Sequence, residues 1–226
     1  MTLYQPKDGY CYNSDTMFLY DFISKFKPKG SVLEVGGGCG VLGLLLKRDF
    51  DIELTFVEKQ EIMCEFIKKN LKANGLEAEI VCGDFLEADF DKRFDFIISN
   101  PPFYQGSLKS DNEIKKIARY EEFLPMKEFF KKVNSLLSER GEFMFCYDAK
   151  RIDDIILNMP KPLKVIDVRF MHPRIDKKAT LIMIRAKRHA KSMVTIHPPL
   201  IGFDDAGYSE EAAGIYKKAA TKSVKV

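Results

Sequence analysis

Apolar residues recur at two spacings along the chain, and each change of spacing marks a new element. From residue 16 to 26, Met17, Phe18, Phe22, Ile23 and Phe26 fall three and four apart, which predicts a helix with Asp15 as its cap and Pro28 and Gly30 beyond its end. Residues 31–35 then read as a buried strand that runs into glycines, with a helix over 41–48 behind them. A strand at 53–57, a helix over about 60–73 with Met63, Phe66, Ile67 and Leu71 on one side, and strands at 79–82 and 94–99 follow. Gly75 closes that helix. Residues 107–122 are polar and read as an irregular loop or short helix over the top of the sheet. Beyond them a helix is expected over 126–137 and a strand over 142–147 after a turn at Gly141. A short helix is expected at 151–158, and strands at 164–170 and 179–185 form an antiparallel pair across HPRIDKK.

Strands and helices that alternate in this way imply crossover connections, hence an α/β fold. The expected architecture is a seven-stranded, mostly parallel sheet with one antiparallel edge strand and helices on both faces. Residues 1–190 are expected to form one domain. Residues 191–226, with an apolar stretch around Pro198 and Pro199 and a helix-like SEEAAGIYKKAA, are expected as an appendage packed on it.

Composition narrows the class. With 226 residues, 46% hydrophobic and 31% charged, the chain is an ordinary soluble globular protein that needs no metal or disulfide staple. The five cysteines are scattered, so neither a disulfide framework nor a zinc site is expected, and a reducing compartment fits. No apolar segment approaches the roughly 20 residues of a membrane span, which points to a soluble, cytoplasmic protein, expected as a monomer without an obligate protein partner.

The net charge of +3 conceals an uneven distribution: residues 1–160 carry 22 basic and 27 acidic residues, whereas residues 161–191 carry 10 basic and 2 acidic. Within the second segment Arg169, Arg174, Lys177, Lys178, Lys187, Arg188 and Lys191 form a candidate phosphate-contact surface. A solvated lysine-rich face is the plainer alternative. Lys109, Lys115, Lys116 and Arg119 are further candidates near the rim of the sheet.

The strongest local pattern is VLEVGGGCGV at 32–41, a strand that opens through Gly36, Gly37, Gly38 and Gly40 directly into a helix. Glycines let a ligand approach the backbone closely, and a nucleoside is the natural guest. The spacing matches neither the dinucleotide fingerprint nor a phosphate-binding loop closed by Lys and Ser/Thr. Glu58, 22 residues beyond Gly36, stands at a strand tip where its carboxylate can accept from ribose hydroxyls, and Asp84 at the next tip can meet an exocyclic amino group. Glu34 is anomalous inside an apolar strand and must be satisfied by loop N–H groups or by a cationic ligand. Farther along, IISNPPF at 97–103 places Asn100 at a strand exit. Its side-chain oxygen and the Pro101 carbonyl can accept the two hydrogens of a planar amino group while Phe103 stacks on the ring. No catalytic histidine and no metal are expected.

The glycine loop, Glu58, Asp84 and the NPPF segment at 100–103 together resemble the class I S-adenosylmethionine-dependent methyltransferases, and within them the amino-group methylases. Over nearly the whole chain the resemblance is to the bacterial tRNA1(Val) adenine-37 N6-methyltransferase family. It is carried by Gln5, Gly9, Tyr10, Asp15 and Thr16, by Val57 to Gln60, by Asn70 and Asn74, and by residues 173–188 and 198–216. The resemblance implies a Rossmann-like fold and S-adenosyl-L-methionine as cofactor, with S-adenosyl-L-homocysteine as product. It further implies N6-methylation of an adenine in tRNA, the RNA being the expected partner. Glu34, Gly36, Gly38 and Gly40 would surround the methionine part. Glu58 with Lys59 would hold the ribose side, Asp84 with Phe85 the adenine, and Tyr10 and Asp15 would help close over the cofactor. Asn100, Pro101, Pro102 and Phe103 would receive the target base. A glutamic acid at position 34, where the family commonly has aspartate, is a modest departure. Alternatives are a class I enzyme acting on DNA adenine, protein glutamine or a small molecule, and a catalytically silent binding module.

Overall fold

The computed structural model describes residues 1–7, 12–102 and 124–226. The strands are β1 (Thr2–Gln5), β2 (Gly30–Val35), β3 (Ile52–Glu58), β4 (Glu79–Cys82), β5 (Phe94–Ser99), β6 (Leu137–Asp148), β7 (Leu163–His172), β8 (Leu181–Arg188), β9 (Thr195–Ile196), β10 (Leu200–Ile201), β11 (Phe203–Asp204), β12 (Gly207–Tyr208) and β13 (Lys222–Lys225). The helices are α1 (Ser14–Ser24), α2 (Val41–Asp49), α3 (Glu61–Asn74), α4 (Met126–Leu136), α5 (Ile152–Asn158) and α6 (Glu210–Ala219).

The main sheet runs β4-β3-β2-β5-β6-β8-β7, with β10 and β9 added in parallel to β7. The pairs from β4 to β6 are parallel, whereas β8 is antiparallel to both β6 and β7. The expected antiparallel edge strand is therefore corrected: β8 lies inside the sheet, and among the described residues the sheet has nine strands rather than seven. β8 forms a hairpin with β7 and its second edge pairs with β6, so the strand that reverses the sheet is covered on both sides.

Along β2 the side chains alternate between two cores. Val32 joins the core under α1, α2 and α3, and Leu33 and Val35 join the core under α4 and α5. α1 is buried on nearly every side because it is packed among α2, α6, β6 and β8. It begins two residues earlier than expected, so Asp15 lies in its first turn and Asn13 is the capping residue. The expected turn at Gly141 is an irregularity within β6: Leu137 pairs with Phe94 and Glu142 with Phe96.

The two ends of the chain are joined. β1 pairs in parallel with β13, the Met1 amino group donates to the Ala220 carbonyl at 2.9 Å, and Gln5 bonds Ser223. Asn70 and Asn74 of α3 hold β1 from the other side, with Asn70 bonding both Tyr4 backbone groups and the Cys39 carbonyl. Cys64 of α3 and Cys82 at the end of β4 are joined in a disulfide, a pairing that the scattered spacing of the five cysteines did not suggest. They are 18 residues apart in sequence, and the crossover from α3 to β4 brings them together. No helix among the described residues is long and apolar enough to cross a membrane.

Candidate active site

The chain runs from β2 to β3 and β4 in one direction and then returns to β5 and β6 on the other side of β2. A crevice opens at the carboxyl ends of the strands where the order reverses, the usual ligand site of an open α/β sheet. Here lies a cleft of about 660 Å³, counting its open mouth, within the range of small-molecule sites. Gly36 and Gly38 of the loop after β2, Glu58 at the end of β3 with Lys59 after it, Asp84 and Phe85 after β4, and Asn100 and Pro102 after β5 all line it. Pro101 is buried beside them. Tyr10 and Phe103 lie outside the described residues.

Gly36 and Gly38 have φ of +70° and +55°, and a Cβ on either would stand in open space. The loop therefore keeps its backbone bare on the cavity side, where a side chain would otherwise intrude. Gly40 does not share that role: it is the residue before α2, and its surroundings are Ile67, Leu44 and Phe56.

The carboxylates fall into three environments. Glu58, nearly buried, accepts from Gly38 N–H at 2.8 Å and from Gln60 N–H at 2.9 Å. Burial raises its pKa, while the backbone donors from Gln60, Gly38 and Lys59 oppose the rise. A carboxylate offers about four lone-pair sites, so it retains capacity for a ligand hydroxyl. Asp84 forms an ion pair with Lys59 at 2.8 Å and accepts from Leu86 N–H. Partial burial works to raise its pKa, but the Lys59 ammonium and the Leu86 amide outweigh it and hold the group below its ordinary value.

Glu34 is placed differently. It lies under the loop and accepts from Gly43 N–H at 2.7 Å in the first turn of α2, and it does not line the cavity. A Cβ at Gly43 would collide with this carboxylate, so glycine there permits the contact. Burial pushes the Glu34 pKa up to about 8, the Gly43 amide opposes this, and the nearby Glu58 charge adds to it. The sequence left open loop N–H groups or a cationic ligand as the partner of Glu34; the donor observed is instead an N–H of the first turn of α2. Asp15 also stands apart from the cavity; Asn13 bonds it at 2.8 Å, and burial raises its pKa.

These residues fit S-adenosylmethionine. The bare glycine backbone leaves room for an extended ligand beside Glu58, which lines the same cleft. The acidic tips of β3 and β4 suit hydroxyl and amino donors. Among the described residues no cluster of His, Cys, Asp or Glu has the make-up of a metal site.

Asn100 is the polar residue of the cavity on the β5 side. Its Nδ2 donates to Thr16 Oγ1 at 3.2 Å, and its Oδ1 accepts from Cys146 Sγ at 3.1 Å. Neither partner was a site candidate on chemical grounds; both reach Asn100 only because α1 and β6 flank the end of β5.

The basic segment is divided by the fold. β7 and β8 are antiparallel, so Arg174, Lys177 and Lys178 lie in the connection at the cleft end of the sheet, where Leu181 pairs with Asp148. Lys187, Arg188 and Lys191 lie at the opposite end, about 25 Å away along the eight residues of β8. Arg169 is buried and spent on Glu211 and the Pro198 carbonyl, and Arg188 bonds the Leu137 carbonyl. The expectation of one continuous phosphate surface is thereby corrected. Arg174, Lys177 and Lys178 are exposed at the same end of the sheet as the cleft, and Lys109, Lys115, Lys116 and Arg119 lie outside the described residues.

Residues 13–158 match the model of the methyltransferase small domain. The chain belongs to that family. This methyltransferase small domain is 31% identical over 142 residues to the tRNA1(Val) (adenine(37)-N6)-methyltransferase of Porphyromonas gingivalis, covering 58% of this chain and 56% of that protein. It is 42% identical over 80 residues to the ribosomal RNA small subunit methyltransferase C of Stutzerimonas stutzeri, covering 35% of this chain and 24% of that one. The chain thus spans about half the length of the first of these relatives and less of the second. In structure it superposes on a predicted O-methyltransferase from Agrobacterium tumefaciens with a TM-score of 0.72 at 16% identity, over 94% of this chain and 100% of the other. That likeness establishes the fold: an α/β, Rossmann-like class I S-adenosylmethionine-dependent methyltransferase fold with a mixed, mostly parallel sheet.

Proposed function

We propose that this protein methylates the exocyclic N6 of an adenine in tRNA, adenosine 37 of tRNA1(Val), with S-adenosylmethionine as donor. The observation that carries the reading is the placement of Asn100: a partly exposed amide at the switch point of the sheet, on the wall of the same cleft as Gly36, Gly38 and Glu58. The similarity to the Porphyromonas enzyme supports the choice of substrate.

The cofactor, when bound, supplies an electrophilic sulfonium methyl group. Glu58 would accept from the ribose hydroxyls and Asp84 with Phe85 would meet the adenine ring, while Lys59 keeps Asp84 ionised. Asn100 Oδ1 and the Pro101 carbonyl accept the two hydrogens of the target amino group. Two acceptors on an amino group disfavour delocalisation of its lone pair into the ring, so the nitrogen is turned toward the methyl carbon. With the donor bound, the methyl group would pass from its sulfur to this nitrogen, which would lose one proton to solvent. Orientation and preorganised acceptors, rather than a strong base, supply the acceleration. An anticodon-loop adenine is already partly unstacked, which lowers the cost of extracting it.

The test is incubation of the purified protein with unmodified tRNA1(Val) and isotopically labelled cofactor, followed by nuclease digestion and mass spectrometry. Labelled N6-methyladenosine from position 37 is expected, and Asn100→Ala should lower single-turnover kcat by about 10²–10³ with little change in binding. A second reading, a base of small-subunit ribosomal RNA, is favoured by the 42% match over 80 residues and would appear as a labelled methylated nucleoside from ribosomal RNA. Transfer to neither RNA, or a wild-type rate in Asn100→Ala, would overturn the assignment.

A further inference from the structure

The side-chain amide of Asn100 has an orientation problem. Its oxygen and nitrogen are nearly identical in shape, and rotation about the terminal torsion exchanges an acceptor for a donor at almost no steric cost. A flipped amide would set N–H groups against the hydrogens of a substrate amino group. The protein side of the residue resolves this. Cys146, near the carboxyl end of β6, is fully buried with its sulfur 3.1 Å from Asn100 Oδ1, and Thr16, on the first turn of α1, has its hydroxyl oxygen 3.2 Å from Nδ2.

A thiol donates only while it is protonated. Burial, then the Asp15 carboxylate, push the Cys146 thiol well above its ordinary pKa, so the S–H persists at neutral pH. An S–H donor selects the amide oxygen, which leaves the amide nitrogen for Thr16. One lone pair of Oδ1 is then engaged from behind, and the other remains for a ligand in the cleft. The two clamping residues come from segments 130 positions apart in sequence, which is why neither stands out beside the NPPF segment.

We propose that Cys146 and Thr16 are positioning residues for methyl transfer, a thiol and a hydroxyl that hold the Asn100 amide with its oxygen presented to the substrate amino group. The inference rests on the reading of Asn100 as the acceptor for that group. It assigns to Cys146 a directional hydrogen bond rather than the filling of a gap in the core.

Substitutions that separate shape from hydrogen bonding test it. Thr16→Val keeps volume and loses the hydroxyl, and Cys146→Val loses the thiol donor while adding one methyl group; Thr16→Ser keeps its hydroxyl and Cys146→Ser gains one in place of the thiol, each in a smaller side chain. In single-turnover methylation the two valine variants should lose about tenfold in kcat, the effect of one hydrogen bond of about 1–1.5 kcal/mol, with KM for RNA and cofactor unchanged. The serine variants should stay within about threefold of wild type, since a hydroxyl replaces the missing interaction. In an Asn100→Ala background the valine substitutions should cause no further loss, because the group they orient is gone. Packing roles would give the reverse order, with valine active and serine impaired, and that result overturns the proposal. So would full activity in both valine variants when Asn100→Ala is inactive. A wild-type rate in Asn100→Ala, by contrast, removes the reading of Asn100 itself. If Cys146→Val does not fold, Thr16→Val and Thr16→Ser decide by the same criteria.

Discussion

Glu58 and Gly38 are joined by a 2.8 Å hydrogen bond from the loop amide to the carboxylate, so the tip of β3 and the glycine loop form one wall of the cleft. A second tie, from Gly36 N–H to the Val57 carbonyl at 2.9 Å, reinforces it. The Glu58 carboxylate therefore braces the loop and also lines the cleft. Glu58→Ala is expected to weaken S-adenosylmethionine binding by about 1–3 kcal/mol, measured by calorimetry, through the loss of a charge-assisted acceptor. Undiminished affinity would remove Glu58 from the ribose role.

Glu34 gives the fold a pH dependence of definite sign. A carboxyl whose folded pKa of about 8 lies above its ordinary 4.5 contributes stability that is complete below pH 4.5 and is lost as pH rises through 8. The melting temperature of the unliganded protein is expected to fall between pH 5 and pH 8, a range set by these values. Glu34→Gln, which can still accept from Gly43 N–H, should flatten the profile. Equal slopes in the two proteins would show that other groups carry the effect.

The divided basic segment makes a positional prediction. Lys177→Glu combined with Lys178→Glu should raise KM for tRNA and flatten its salt dependence, by about 0.7 to 0.9 in the log–log slope for each phosphate no longer neutralised. Lys191→Glu, at the far end of β8, should leave the titration unchanged. Equal effects from both ends would mean that RNA engages the protein away from the cleft.

Asn70 links the N-terminal strand to the glycine loop. Its fully buried amide bonds Tyr4 N–H and the Tyr4 and Cys39 carbonyls, so Asn70→Ala strands several polar groups. A loss of about 1–3 kcal/mol is expected, or roughly 2–4 °C in Tm for each kcal/mol, together with weaker cofactor binding. Asn74→Ala, at a half-buried position, should cost less. A normal melt with weakened binding would confine the role of Asn70 to the loop.

The two strands at 79–82 and 94–99 lie where the apolar pattern puts them, and α2, α3 and α4 agree within a residue at each end. Runs of this kind are legible because burial of one face follows from local spacing. Much of the cleft was legible for a related reason: Gly36, Gly38, Glu58, Asp84 and Asn100 each sit just after a predicted strand, and parallel strands bring their carboxyl ends to one edge. The short strands β1 and β13 were not, since four residues carry too little pattern and their partner is at the other end of the chain.

The amino-acid sequence by itself determined the succession of elements, the mostly parallel sheet and the strand-tip residues that line the cleft, because these depend on spacing within one segment or on the shared direction of neighbouring strands. The tertiary structure alone decided how distant segments combine. It set β8 inside the sheet, divided the basic residues between two ends, turned Arg169 into a buried partner of Glu211 and paired Cys64 with Cys82. It also brought Thr16 and Cys146 to the two ends of the Asn100 amide. Hydrogen bonds and ion pairs are short-ranged and directional, so a sequence that specifies which residues are polar does not reveal their partners until the packing of α1, β6 and the β7–β8 hairpin has set the distances.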